Sequence, residues 1–410
     1  MEKKPGKLQF KIDVVLTVIF LAVIFFFGIM TVCTDYDGIY KHATRMSDLE
    51  VYLEDPEDYS RWDLLEARVK SLDAYLAGNL YKATELGYLN SSFQYAIGKE
   101  LINTGASQML TLKSGHLFDL QNYVPMQSKA EEIIALKESL NGEIPFLFVY
   151  EHPTVYAEDQ MSPGFRTLDY SDEIAGEITT LLRQGGVNLL DSRDILPASG
   201  VPMEEYLMYT DQHWSTRASM IMAQRIAEEI SLLTGVALPT ENLDIDQFET
   251  EVYPQLFMGK YGQRIGPANI APDDITVYWP RYETEIYRNT NYLGKVTERT
   301  GSFKDSVIRW NYLHRDETGW NIKAYFDYGL TENYDIYANA AAPDCTVLLL
   351  KDSYSASIGA FLSLVANEVV AMDMRRCDYS FEELVERYKP DVVVMAYSMQ
   401  MLRDDAYEFQ

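Results

Sequence analysis

Twenty consecutive residues without a charge, Val14 to Cys33 (VVLTVIFLAVIFFFGIMTVC), constrain this chain more than any other feature. About 20 apolar residues in helical form match the ~30 Å hydrocarbon core of a bilayer, so the run predicts a transmembrane helix. Lys3, Lys4, Lys7 and Lys11 precede it against Glu2 and Asp13, a local balance of +2, and Asp35 and Asp37 follow it. The positive-inside rule then predicts a cytoplasmic tail over 1–13, a single-pass anchor over 14–33 and an extracellular remainder at the cell membrane. A cleaved signal peptide would have a shorter apolar run and an Ala-x-Ala site. Neither is present, and Met30-Thr31-Val32-Cys33 has Val where a lipobox needs Gly or Ala.

The rest of the chain carries the acidic excess, since the net charge of all 410 residues is -27. That excludes a nucleic-acid partner, which needs a basic face for the phosphates. Hydrophobic residues at 47% and aromatics at 13% exclude a disordered polyelectrolyte. Three cysteines are too few for a disulfide scaffold or a cysteine-only zinc cluster. Cys33 ends the apolar run. Cys345 opens one expected parallel strand and Cys377 lies just past the end of another, so the two are expected as free thiols.

Beyond the anchor, Trp62, Leu65, Val69, Leu72, Leu76 and Leu80 recur at three- and four-residue spacing, one face of a helix. Residues 34–105 are accordingly expected to form a helical stalk packed on a main domain over 106–410. Three apolar runs, 145–150, 346–350 and 391–395, have the length and β-branched content of buried strands. Helical patterns alternate with them at about 129–140, 171–184, 216–233 and 380–388. This alternation predicts an α/β fold, a parallel sheet with helices on both faces, whose ligands bind at the carboxyl ends of the strands. Between about 251 and 337 the pattern changes to short alternating stretches with 11 of the 30 tyrosines, so a small Tyr-rich β insertion or cap is expected there. Its rings would stack on sugars if exposed, or fill a small β core if buried.

Two local motifs can carry chemistry. In Thr210-Asp211-Gln212-His213-Trp214-Ser215 the acid and the histidine are two apart, so in an extended segment both project to one side. The carboxylate could then hold the imidazole as a general base. In Leu348-Leu349-Leu350-Lys351-Asp352-Ser353-Tyr354-Ser355 an apolar strand runs into a probable helix, and a serine at such a turn can serve as nucleophile beside helix N–H groups. Each motif alone is explained by helix capping; their coincidence in a chain with five histidines favours a triad. His152, after the first strand, is the reserve base. No metal-ligand spacing, P-loop or Gly-x-Gly-x-x-Gly is present, so no metal and no cofactor is expected.

The Asp-x-His-Trp motif at 211–214, the Lys-Asp-Ser-Tyr strand end at 351–354 and the following Val369-Val370-Ala371-Met372-Asp373-Met374-Arg375 resemble the DHHW family, related to the SGNH-hydrolase-like alginate O-acetyltransferases. The resemblance covers roughly 105–400 and includes Gly115-His116-Leu117-Phe118. It implies an SGNH-like α/β domain in a bacterial cell envelope, with Ser353 as nucleophile, His213 as base and Asp211 as its orienting acid. Gln212 stands where the family name has a second histidine. Gly259, Tyr354 and Trp214 are the candidates for oxyanion or substrate contacts. The implied function is a serine acyl-enzyme catalyst, an O-acetyltransferase or acetylesterase acting on a cell-surface or cell-wall polysaccharide. A membrane acyltransferase would supply the acyl group. The alternative is a catalytically silent glycan-binding or cell-envelope assembly protein of the same fold.

Overall fold

A computed structural model describes residues 7–53, 59–105, 107–152, 160–292, 294–329, 334–377 and 379–403 of the chain. It divides into two units, Met1–Asn90 and Ser91–Gln410.

In the first unit, helix α1 (Lys7–Thr34) contains the apolar stretch Val14–Thr34, long and apolar enough to cross a membrane as an anchor or a signal sequence. Helix α2 (Arg61–Asn79) starts at a capping box, in which the Ser60 hydroxyl accepts from the Trp62 and Asp63 N–H groups and the Asp63 carboxylate accepts from the Ser60 N–H. The face it packs is not the expected one. Trp62, Leu65 and Val69 are exposed, and Leu64 and Ala67 meet Leu49 and Leu53 instead. Ala67 is small enough to let the short helices over 46–52 approach closely, and that displaces the packed stripe by one position. The helical region also stops at Ala96, short of 105; Leu101–Asn103 is a strand paired antiparallel with Gln108–Leu110.

The second unit is built on a sheet of eight described strands: β1 (Phe146–Glu151), β2 (Asn188–Asp191), β3 (Ile286–Tyr292), β4 (Lys295–Gly301), β5 (Tyr334–Ala338), β6 (Thr346–Lys351), β7 (Glu368–Met372) and β8 (Val392–Ser398). Their order is β2-β1-β8-β6-β7-β5-β3-β4. The first five are parallel and the last three antiparallel. The apolar runs are unbroken because both faces are covered. Leu147, Val149, Leu349 and Val394 pack with helix α3 (Thr216–Thr234), whereas Phe148, Tyr150, Leu348 and Val393 pack against the helices over Gln127–Ser139, Ser171–Gln184 and Phe381–Tyr388. Helix α3 is bounded by Ser215, whose hydroxyl accepts from the Ala218 N–H, and by Gly235 at φ 75°.

The region 251–337 is not a separate cap. A two-stranded ribbon, Phe248–Phe257 with Asp273–Pro280, opens it, but β5 hydrogen-bonds to β7, β3 to β5 and β4 to β3, so that the three extend the main sheet. Period-two alternation gives a strand's burial but not its partner, so the sequence could not distinguish an edge from an insertion. Tyr325, Tyr328 and Tyr337 are buried there, as in a core. Cys345 is buried, Cys33 exposed, and none of the three cysteines is in a disulfide.

Candidate active site

Helix α3 and the end of β6 each deliver one half of the site. The chain reaches α3 through Tyr209–Ser215, and this segment is held from two sides. The Asp273 carboxylate accepts from the N–H groups of Tyr209 (2.6 Å) and Thr210 (2.9 Å) and from the Thr210 hydroxyl. Leu117 N–H donates to Tyr209 O, and His116 stacks on the Tyr209 ring, so the Gly115–Phe118 stretch supports the motif from below. Burial raises the Asp273 carboxyl to about 6 and lowers the His116 imidazole to about 4.

Fixed in this way, Asp211 Oδ1 binds His213 Nδ1, and the opposite ring nitrogen, Nε2, lies 2.9 Å from Ser353 Oγ. Asp211 Oδ1 also accepts from the His213 N–H and its Oδ2 from the Lys260 N–H at 2.6 Å. Burial alone would push the Asp211 carboxyl up; the His213 ring and these N–H donors outweigh it and hold the carboxyl below its usual value. The His213 ring sits between Tyr325 and Tyr354, at centroid distances of 4.6 and 4.7 Å. Such packing leaves the imidazole one orientation, along the Asp211 to Ser353 line.

The nucleophile turn is tied down independently. The Asp352 carboxylate accepts from the Tyr354 N–H (2.8 Å) through one oxygen and from the Ser398 N–H (2.9 Å) and hydroxyl (2.6 Å) through the other. The Ser353 N–H makes no hydrogen bond among the described residues, which leaves it available to an oxyanion formed on an acyl group at Oγ. Below the turn, the Ser355 hydroxyl lies 2.7 Å from Glu151 Oε1 and 3.0 Å from Ala396 O. A hydroxyl has one hydrogen and a carbonyl can only accept, so both bonds form together only when Glu151 is protonated. Burial, then the Asp352 charge, push the Glu151 carboxyl well above its usual range, in agreement with that proton count.

The three motif residues therefore meet, and the other expectations divide. Trp214 is buried and does not face a substrate; its Nε1–H donates to Tyr354 O at 2.9 Å and so ties the start of α3 to the serine turn. The Tyr354 hydroxyl donates to Gln212 O (2.8 Å), another bridge between the halves. Gly259 is not an oxyanion donor, because its N–H is committed to Thr210 Oγ1. It is glycine for space: a Cβ there would lie 2.3 Å from Asp211 Cβ and 2.5 Å from Thr210 O. His152 is buried, with Nε2 4.0 Å from Asp172, and the base position is occupied by His213. Sequence reasoning missed Asp273, Glu151 and Tyr325. For Glu151 a signal existed: a carboxylate that ends an unbroken apolar strand is forced into the core. Among the described residues no group of three or more His, Cys, Asp or Glu could hold a metal ion.

Residues 118–297 match the family model for the SGNH hydrolase-like domain of the acetyltransferase AlgX. That stretch contains Asp211 and His213 and ends before Ser353. No curated protein matches significantly. Among solved structures, Bacillus cereus PatB1 with a sulfonyl adduct is 14% identical with a TM-score of 0.61, covering 75% of this chain and 100% of that one. PatB1 without the adduct gives 15%, 0.58, 74% and 99%. A DHHW family protein from Eubacterium siraeum is 18% identical with a TM-score of 0.56, covering 75% of this chain and 95% of that one. The larger unit is therefore similar over 118–297 to the SGNH hydrolase-like domain of the AlgX acetyltransferase model, and similar in fold to PatB1 and to a DHHW family protein.

Proposed function

We propose that this chain is a membrane-anchored serine acyl-enzyme catalyst, an O-acetyltransferase or acetylesterase acting on a cell-surface polysaccharide. The observation that carries the reading is the 2.9 Å approach of His213 Nε2 to Ser353 Oγ with Asp211 behind the ring. In the first half-reaction His213 takes the Ser353 hydroxyl proton, and Oγ bonds to the acyl carbonyl carbon. The C–O bond to the leaving group then breaks, and His213 returns the proton to the departing oxygen. In the second half-reaction a sugar hydroxyl or water gives its proton to His213 and attacks the same carbonyl carbon; the C–Oγ bond breaks and His213 returns the proton to Ser353 Oγ. The match to the AlgX acetyltransferase model supports acetyl as the acyl group. The four lysines before the apolar stretch support an extracellular domain, and a donor on that side would come from a membrane acyltransferase partner.

The test combines labelling and turnover. The PatB1 structure with a sulfonyl adduct suggests the probe: a sulfonyl fluoride should add covalently to Ser353, read by peptide mass, and should fail on Ser353→Ala. The same substitution should abolish p-nitrophenyl acetate hydrolysis. Hydrolysis that survives it would remove Ser353 from the mechanism, and an unreactive wild type would leave the glycan-binding alternative.

A further inference from the structure

Beside the triad lies a cavity of about 600 Å³ whose wall includes the residues on either side of the catalytic motifs, Gln212 between Asp211 and His213, and Tyr354 after Ser353. Residues with side-chain amides line it from three other parts of the domain: Gln108 from a short strand, Asn122 from the loop before the first core helix, and Gln400 from the short helix Met399–Arg403 after β8. None of these four amides makes a side-chain hydrogen bond among the described residues, so each keeps both its donor and its acceptor for a ligand. Tyr261 and Tyr354, both buried, complete the lining. No lysine or arginine lines the cavity, and its one charged group is the carboxylate of Asp119, 4.0 Å from the Arg264 guanidinium, which donates to Ser107 on the wall.

We infer that this cavity is the acceptor subsite and that it takes an uncharged glycan, to the exclusion of uronate- or phosphate-bearing polymers. A vicinal diol both donates and accepts, and an amide does the same in a fixed plane, so four uncommitted amides suit neutral sugar hydroxyls. A carboxylate or phosphate only accepts; it would need a cation that the wall does not provide, and it would meet Asp119. The net charge of -27 acts in the same direction at long range, because it repels a polyanion before contact. The catalytic meaning of the subsite rests on the Ser353 reading, but its ligand preference does not.

Binding separates the two. Isothermal titration of the full-length Ser353→Ala chain in detergent would use cellotetraose, mannotetraose and N-acetylchitotetraose as neutral probes and tetragalacturonate as the anionic one. At least one neutral tetrasaccharide should bind at least tenfold more tightly than tetragalacturonate. Gln108→Ala with Asn122→Ala, and separately Gln400→Ala, should weaken that binding at least tenfold, with unchanged circular dichroism. The inference is overturned if tetragalacturonate binds as well as the neutral probes, if no neutral probe binds, or if binding ignores the amides and they are merely solvated. The titration needs no turnover, so its failure stays distinct from a failure of p-nitrophenyl acetate hydrolysis in the wild type.

Discussion

Asp211 holds more of the site than its single bond to the base suggests, because its two oxygens serve the His213 ring, the His213 N–H and the Lys260 N–H together. An asparagine has one acceptor oxygen. In Asp211→Asn, either the amide NH2 faces the Lys260 N–H or the wrong imidazole tautomer is favoured. We expect kcat for p-nitrophenyl acetate to fall by about 10⁴ with little change in KM, the scale seen for loss of a triad acid. Glu151 makes a different prediction. Its folded pKa is raised above the usual glutamate value of about 4.5, so the stability it contributes is fully present below that value and is lost as pH rises toward the folded pKa. The facing groups are Asp352 and Lys351 at the end of β6, Ser355 in the turn, Ser398 opposite on β8, and Tyr325. Each unit of separation costs about 1.4 kcal/mol. Denaturant midpoints at pH 5 and pH 8 should differ in the wild type and converge in Glu151→Gln, whose amide can still donate to Ser355 Oγ. Equal pH dependence in both would mean that Glu151 is ionised in the folded chain. Asp211, His213 and Ser353 were legible because each sits in a short local motif. Asp273 was not: it lies 63 residues from Thr210, which it holds, and looks like any of the chain's 62 acids, whereas Glu151 is marked as buried by the apolar strand it ends but lies 204 residues from its partner Ser355.

At the scale of elements, the site is a joint between the entry to α3 and the exit of β6, and two residues keep the joint closed without touching a reacting atom. Trp214→Phe keeps the ring in the core but removes the Nε1–H bond to Tyr354 O, leaving a buried carbonyl unpaired. That should cost about 1–3 kcal/mol, read as a lower denaturant midpoint, and should reduce kcat more than it raises KM. Gly259→Ala acts by volume. Its Cβ meets the Asp211 side chain and the Thr210 backbone, neither of which can turn aside, so the acid must shift. About 10²-fold loss of kcat is expected for a misplacement near 1 Å, whereas Gly235→Ala, at the far end of α3, should affect stability alone. The core strands β1, β6 and β8 were readable as long runs of apolar residues because helices cover both faces of the sheet. β2, with four residues, was too short to register. β3 and β5 alternate buried with half-buried residues and β4, at the edge, is exposed over most of its length, so they look like any antiparallel hairpin; only the pairing of β5 to β7 and of β3 to β5 identifies them as part of the sheet.

At the scale of the whole molecule, the proposed chemistry requires Ser353 to be on the polysaccharide side of the membrane, and the groups that decide this lie at the other end of the chain. Lys3, Lys4, Lys7 and Lys11 precede the apolar stretch, while Lys41 and Arg45 follow Cys33 by no more than twelve residues. Orientation depends on the balance of lysine and arginine within about 15–20 residues of the span, and acids contribute little. Four against two predicts an inside N-terminus. The quadruple change Lys3→Gln, Lys4→Gln, Lys7→Gln and Lys11→Gln leaves none against two and turns the preference over. Protease added to intact cells should digest the domain beyond Asn90 in the wild type. In the quadruple variant a protected full-length fraction should appear, and labelling of Ser353 by an impermeant sulfonyl fluoride should fall in proportion. A wild-type domain that is protected in intact cells would place the triad on the wrong side for the proposed substrate, whatever its geometry. If labelling fell without protection, the lysines would be acting on the site itself and not on topology.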